Sequence, residues 1–107
     1  MISTHILDTS LGHPAAGVVV ELAKHDGKSW MDLGIEKTNE DGRIVFDCPK
    51  EKGVYRLKFK TEDYFKKNNV VPFFIVAPVV FEISDISRKY HIPLLLNPYG
   101  YSTYRGS

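Results

Sequence analysis

Alternation of apolar and polar residues is the strongest regular pattern in the chain. In residues 54–60 the large apolar side chains of Tyr55, Leu57 and Phe59 alternate with basic residues. A period of two places the two sets on opposite faces of a β-strand, so this segment is predicted to be a strand with one buried and one wet face. Residues 17–24 alternate in the same way and predict a second strand.

Shorter apolar runs, separated by turn residues, predict the rest of the sheet structure. Asp-Gly pairs occur at positions 26–27 and 41–42, and glycine in such pairs supplies the positive φ that tight turns between strands need. Strands are predicted over residues 4–7, 17–24, 30–37, 43–47, 54–60 and 79–84, followed by an apolar C-terminal segment over residues 90–107.

One helix is predicted, over residues 61–68. Thr61 is expected to cap its N-terminus, with acidic residues in the first turn and lysines in the last, which suits the helix dipole. Seven or eight short strands, one short helix and glycine-containing turns predict an all-β protein, a single domain over residues 1–107 with the architecture of an antiparallel β-sandwich. Unpaired edge strands make edge-to-edge dimerisation a reasonable hypothesis.

Composition narrows the class of partner. Lysine and arginine number 14 against 13 aspartates and glutamates, giving a net charge of +1, which argues against nucleic acid or a membrane surface. The single cysteine, Cys48, excludes an internal disulfide framework and is expected to be a buried strand-end residue. No secretory signal pattern is present, so a cytoplasmic location is the default expectation, with the periplasm or peroxisome left open if a targeting segment was removed.

The candidates for chemistry are two histidines and a few polar residues near them. His5 and His91 lie in predicted strands, where a structural role and a catalytic role are about equally favoured, whereas His13 and His25 lie in predicted turns and are expected to be solvated. Arg43 follows a turn, where a solvated charge is the simpler interpretation. Spacing of the histidines does not favour a metal site.

The C-terminal segment does not have the composition of a fraying chain end. It holds four tyrosines, and those at positions 99, 101 and 104 are expected to pack in a core or an interface. Arg105 and Ser107 can pair with each other through the terminal carboxylate, and Ser102, Thr103 and Ser107 lack the surroundings of an activated nucleophile. Reasoning from residue types alone reaches a β-sandwich with histidine and arginine as candidate functional groups.

A family resemblance rests on motifs spread along the chain. They are Thr-His-Ile-Leu-Asp at 4–8, Gly-His-Pro-Ala at 12–15, Thr-Asn-Glu-Asp-Gly-Arg at 38–43, Tyr-Phe at 64–65, His-Ile-Pro-Leu-Leu-Leu at 91–96 and Tyr-Gly-Tyr-Ser-Thr-Tyr-Arg-Gly-Ser at 99–107. In these the sequence resembles the 5-hydroxyisourate hydrolases, the transthyretin-related enzymes of urate degradation. The closing Tyr-Arg-Gly-Ser is specific to the enzyme. The sequence departs from the family at positions 73–75, Phe-Phe-Ile, where a proline usually follows the two phenylalanines.

The resemblance implies a transthyretin-like fold, a homotetramer and a site without metal or organic cofactor. Dimers would form by edge-strand pairing, and two dimers would stack across a central channel that holds the active sites. The catalytic residues it implies are His5, Arg43, His91 and Ser107, and the substrate-binding residues are these four with Tyr104, Arg105 and Gly106.

The implied reaction converts 5-hydroxyisourate to 2-oxo-4-hydroxy-4-carboxy-5-ureidoimidazoline by hydrolytic opening of a ring amide. Such a reaction needs an activated water and stabilisation of charge on the carbonyl oxygen. His91 is assigned to water activation with His5 in support, the reverse assignment staying open, and Arg43 to the anionic ring. The alternatives are a transthyretin-like carrier of small apolar ligands and a non-catalytic sandwich module of the adhesion or stalk type.

Overall fold

The computed structural model describes all residues, 1–107, as two β-sheets and one short helix. The elements are β1 (Ile2–Asp8), β2 (His13–Pro14), β3 (Val19–His25), β4 (Trp30–Lys37), β5 (Arg43–Phe46), β6 (Gly53–Lys60), α1 (Thr61–Lys67), β7 (Ala77–Ile83), β8 (Tyr90–Asn97) and β9 (Gly100–Thr103). The all-β prediction is confirmed. Nine strands form rather than seven or eight, because the C-terminal segment divides into two strands and the turn after β1 contains a two-residue strand.

The two sheets differ in how their strands are joined. One sheet has the order β4-β3-β6-β7 and is antiparallel throughout. The other has the order β2-β1-β8-β9, with β5 also paired to β1. Within it β1 and β8 run parallel, from Ile2 opposite Tyr90 to Asp8 opposite Leu96, while the other pairs are antiparallel. The predicted antiparallel sandwich therefore contains one parallel pair at its centre.

The core lies between the sheets and follows the predicted alternation. Tyr55, Leu57 and Phe59 of β6 are buried, and their neighbours on the other face are not. Strand β1 alternates in the same way, with Ile2, Thr4, Ile6 and Asp8 facing inward. A cluster of 19 buried apolar residues, drawn from both sheets and α1, fills the interior. Alternate residues of β1, β5 and β8 are thereby directed to the outer face of the five-stranded sheet.

Helix α1 follows β6 without a loop, and its start differs from the prediction. Thr61 is the first helical residue and is buried; no side chain caps the helix, and Lys60 occupies the N-cap position. The carbonyl oxygen of Ile75 accepts a 3.2 Å hydrogen bond from the amide of Glu62 and so replaces a cap. Since α1 has only seven residues, no helix of the chain is long and apolar enough to cross a membrane.

Edge strands β7 and β9 lie on the same side of the sandwich. A groove of about 280 Å³ between them is lined by residues 79–82 of β7, by Tyr90 and Ile92 of β8 and by residues 103–105. The tyrosines at 99, 101 and 104 are 75%, 36% and 59% exposed. They are not core residues of this chain, so the part of the prediction that placed them in a core is wrong.

Candidate active site

Three strands bring the predicted histidines and arginine to one face. Strand β1 lies between β5 and β8, and its outward positions include Ser3 and His5. The antiparallel register sets His5 opposite Arg43 on β5, and the parallel register sets Ser3 opposite His91 on β8. Residues that pair directly across a sheet point to the same face. His5, Arg43 and His91 therefore form one cluster on the outer face, although His5 lies near the start of the sequence and His91 near its end.

Arg43 is held in place by the turn that precedes β5. The side chain of Asn39 accepts hydrogen bonds from the amides of Asp41 and Arg43, at 2.9 and 3.0 Å. Gly42 has a φ of +72°, and a Cβ there would lie 2.6 Å from the carbonyl oxygen of Ile6, so only glycine fits. The turn can thus lie against β1 and fix Arg43 beside His5.

His91 is half-buried. It lies opposite Ser3 on the strand beside β1, which makes it a diagonal neighbour of His5. From a strand spacing of about 4.8 Å and a rise of about 3.3 Å per residue, their Cα atoms are roughly 8 Å apart. Burial, then the charge of Arg43, then His5 lower the pKa of His91 from its ordinary value. A lowered pKa keeps the imidazole neutral near neutral pH, which is the form that can accept a proton.

Ser3 is a neighbour of His91 that the sequence analysis did not identify. Its hydroxyl lies 2.8 Å from Nδ1 of the His91 ring. The available signal was its spacing, since Ser3 is two residues before His5 and must share its face if the segment is a strand. The sequence alone did not indicate that β8 pairs with β1 and sets His91 opposite Ser3.

The C-terminal tail passes beside His91. Gly106 forms an isolated antiparallel bridge with His91, and its amide donates a 2.8 Å hydrogen bond to the His91 carbonyl oxygen. A Cβ on Gly106 would be only 2.6 Å from Cδ2 of the His91 ring. Ser107, the next residue, is exposed. The tail thus reaches the same cluster as the strands.

Tyr104 and Arg105 are placed differently from the other predicted site residues. Both are exposed, and both line the groove between β7 and β9, whose walls include none of the histidines. The structure therefore brings together His5, Arg43, His91 and Gly106, with Ser107 adjoining, and leaves Tyr104 and Arg105 at the neighbouring edge.

The remaining candidates lie apart from this cluster. The ring of His25 makes an edge contact with Trp30 at 5.0 Å, and His13 is exposed. Cys48 is half-buried against the core, and burial raises the pKa of its thiol. No group of three or more histidine, cysteine, aspartate or glutamate side chains is arranged to hold a metal ion.

Comparison with known proteins gives the family. The model of the HIUase/Transthyretin family matches residues 2–106. The chain belongs to this family. The 5-hydroxyisourate hydrolase of Halalkalibacterium halodurans is 47% identical over an alignment of 116 positions, which covers 99% of this chain and 97% of that protein.

Solved structures similar to this chain include one named as a hydrolase and one bound to thyroxine, and both have this fold. Klebsiella pneumoniae 5-hydroxyisourate hydrolase has a TM-score of 0.86 at 40% identity, covering 99% of this chain and 98% of that one. Sea bream transthyretin in complex with thyroxine has a TM-score of 0.89 at 30% identity, covering 98% and 93%. Because the fold accommodates both, the fold alone does not decide which function this chain has.

Proposed function

We propose that the chain is a 5-hydroxyisourate hydrolase. The observation that carries the proposal is the gathering of His5, Arg43 and His91 on adjacent strands of one face. Relatives that cover nearly the whole chain bear this name, which supports the choice of substrate. A carrier of apolar ligands gains nothing from two imidazoles and a guanidinium in its binding channel, so the polar face favours the enzyme.

The proposed step is addition of water to the ring amide. Nε2 of His91 takes a proton from water as the oxygen bonds to the carbonyl carbon, and negative charge moves to the carbonyl oxygen. The C–N bond then breaks, and the leaving nitrogen takes a proton from the imidazolium, which restores the neutral base. The lowered pKa of His91 supports this role, because the ring is ready to accept a proton near neutral pH.

Arg43 and His5 would act on the charge that develops. A guanidinium is permanently charged and presents a planar set of donors, which suits an anionic ring edge and the oxyanion. His5, directly opposite Arg43, can orient the water or donate to the leaving nitrogen. Ser107 can add its hydroxyl from the tail, and Tyr104, Arg105 and Gly106 can shape the rim. These steps use only water and the side chains of the protein.

We also infer that the site is completed by assembly into a homotetramer. The cluster lies on an open sheet face, and Val45, on that face beside Arg43, is 58% exposed. Edge strands β7 and β9 lie together at one side, so a second copy could pair with both. Native mass spectrometry should give a tetramer at micromolar concentration; a monomer with full activity would overturn this inference.

The test of the function is decay of 5-hydroxyisourate absorbance, with the substrate generated in place from urate and a urate oxidase. Wild type should accelerate the decay, and His91→Asn and His5→Asn should each remove most of the acceleration. His25→Asn is the matched control, because this histidine ends β3 in the other sheet, and it should behave as wild type. Decay at the spontaneous rate, from protein shown to be folded, would instead favour the carrier.

A further inference from the structure

We infer that Ser3 is a positioning residue that orients His91 for catalysis. The inference rests on the proposed function and adds to it a residue outside the motifs of the resemblance. Ser3 is not proposed to touch substrate. Its role is to hold the ring of the base by one nitrogen, so that the other nitrogen faces the reacting water.

The contact between the two side chains is set by the register of the sheet. Ser3 and His91 are partners in the parallel β1–β8 pair, and both occupy outward positions of their strands. The distance between Ser3 Oγ and His91 Nδ1 is 2.8 Å, a full hydrogen bond. Because the two residues are fixed by a continuous seven-residue ladder, the hydroxyl is presented to the ring at little entropic cost.

The His91 ring is confined from a second side. The backbone of Gly106 lies so close to Cδ2 that a methyl group there would collide at 2.6 Å. With Nδ1 held by Ser3 and Cδ2 against the tail, Nε2 is the nitrogen left for the open face, where His5 and Arg43 lie. The same arrangement, in which a neighbouring group hydrogen-bonds Nδ1 and so orients a histidine base, occurs in unrelated hydrolytic sites.

The position of the proton follows from the role of His91 as a base. Nε2 must carry a lone pair, so in the neutral ring Nδ1 carries the hydrogen and donates it to Ser3 Oγ. When His91 accepts a proton from water, this hydrogen bond becomes charge-assisted and stronger. Ser3 therefore stabilises the protonated base that the step creates.

The variants to compare are Ser3→Ala and Ser3→Thr, with Ser29→Ala in the exposed β3–β4 turn as a control for loss of a hydroxyl. From the worth of one hydrogen bond, Ser3→Ala should lower kcat about three- to tenfold while KM changes little. Ser3→Thr should restore most of the rate, and Ser29→Ala should leave it unchanged. A rate unaffected by Ser3→Ala, or no rescue by threonine, would overturn the inference.

Titration of His91 by NMR tests the same contact without reference to turnover. An acceptor on Nδ1–H favours the imidazolium, so Ser3→Ala should lower the pKa of His91 further and reduce the population of the Nδ1–H tautomer. A rise in that pKa would mean that Ser3 donates to Nδ1 and would overturn the inference. If wild type does not hydrolyse 5-hydroxyisourate at all, the proposed function fails, and this titration still decides whether Ser3 orients the ring.

Discussion

The hydroxyl of Tyr64 donates a 2.7 Å hydrogen bond to Oδ2 of Asp8, and both side chains are buried. Tyr64 belongs to α1 and Asp8 ends β1, so the bond ties the helix to the strand that carries His5. The other carboxylate oxygen accepts from the hydroxyl and amide of Ser10 and the amide of Leu11. Burial by itself raises the pKa of Asp8, but these hydrogen bonds outweigh it and the net shift is downward.

Tyr64→Phe should destabilise the protein without changing its fold. The substitution keeps the ring in the core and leaves Oδ2 of a buried carboxylate without its donor, at a cost of about 1–3 kcal/mol. Thermal unfolding should show a fall in Tm of several degrees. Tyr99→Phe is the control, because that side chain is 75% exposed and should leave Tm unchanged. An equal Tm for both variants would mean that the Asp8 bond contributes nothing.

The stability contributed by Asp8 should depend on pH in a defined direction. The folded pKa of Asp8 lies below 3.8, so its contribution is complete above that value and is lost as the pH falls through the folded pKa. Tyr64→Phe removes one of the bonds that lowers this pKa, so in the variant the total loss should be smaller and should be complete at a higher pH. Urea unfolding measured from about pH 2 to pH 6 would reveal the displacement. Parallel curves for wild type and variant would contradict it.

Gly106→Ala should impair activity while the fold survives. The new methyl group would meet the His91 ring at 2.6 Å, so either the ring or the tail must move. We expect turnover to fall by up to about a hundredfold, the loss that a misplacement of about 1 Å can cause. Gly100→Ala is the matched control in the same segment, since its nearest neighbour would be 3.9 Å away. Similar rates for both variants would argue against contact between the tail and the base.

Removing the charge of Arg43 should raise the pKa of His91. Arg43 is the main charged group that lowers this pKa, after burial, and His5 adds a smaller effect. In Arg43→Ala the His91 titration should therefore move toward its ordinary value, about 6.5, and the residual activity should fall away at a higher pH on the acidic side. Arg56→Ala, on the other sheet, should not move the titration. An unchanged His91 pKa in Arg43→Ala would show that the charge of Arg43 does not act on His91.

Residues fused after Ser107 should depress activity far more than residues fused before Met1. The antiparallel bridge between Gly106 and His91 holds the tail beside β8, so an extension would begin next to His91. Hydrolysis rates of the two fusions, each checked for the wild-type oligomeric state, provide the comparison. Equal hydrolysis rates for the two fusions would show that Ser107 has no role at the site.

The local elements were predictable because their signals are short-range. The alternation in β6 gave the correct buried face, and the turn before Arg43 was recognised from its Asp-Gly pair. The predicted cap at Thr61 failed for the opposite reason, since the helix start is completed by Ile75, fourteen residues away. Tyr104 and Arg105 belong to the tail motif in sequence, yet they line a groove apart from the histidines.

The sequence by itself determined most of the strands, the helix and, among its candidate residues, His5, Arg43 and His91. Only the tertiary structure decided that they share one face, because that depends on β1 lying between β5 and β8. It also paired Ser3 with His91 across 88 positions of sequence. Periodicity fixes which face of a strand a residue occupies. The strand that lies beside it is chosen by packing of the whole chain, and no local pattern encodes that choice.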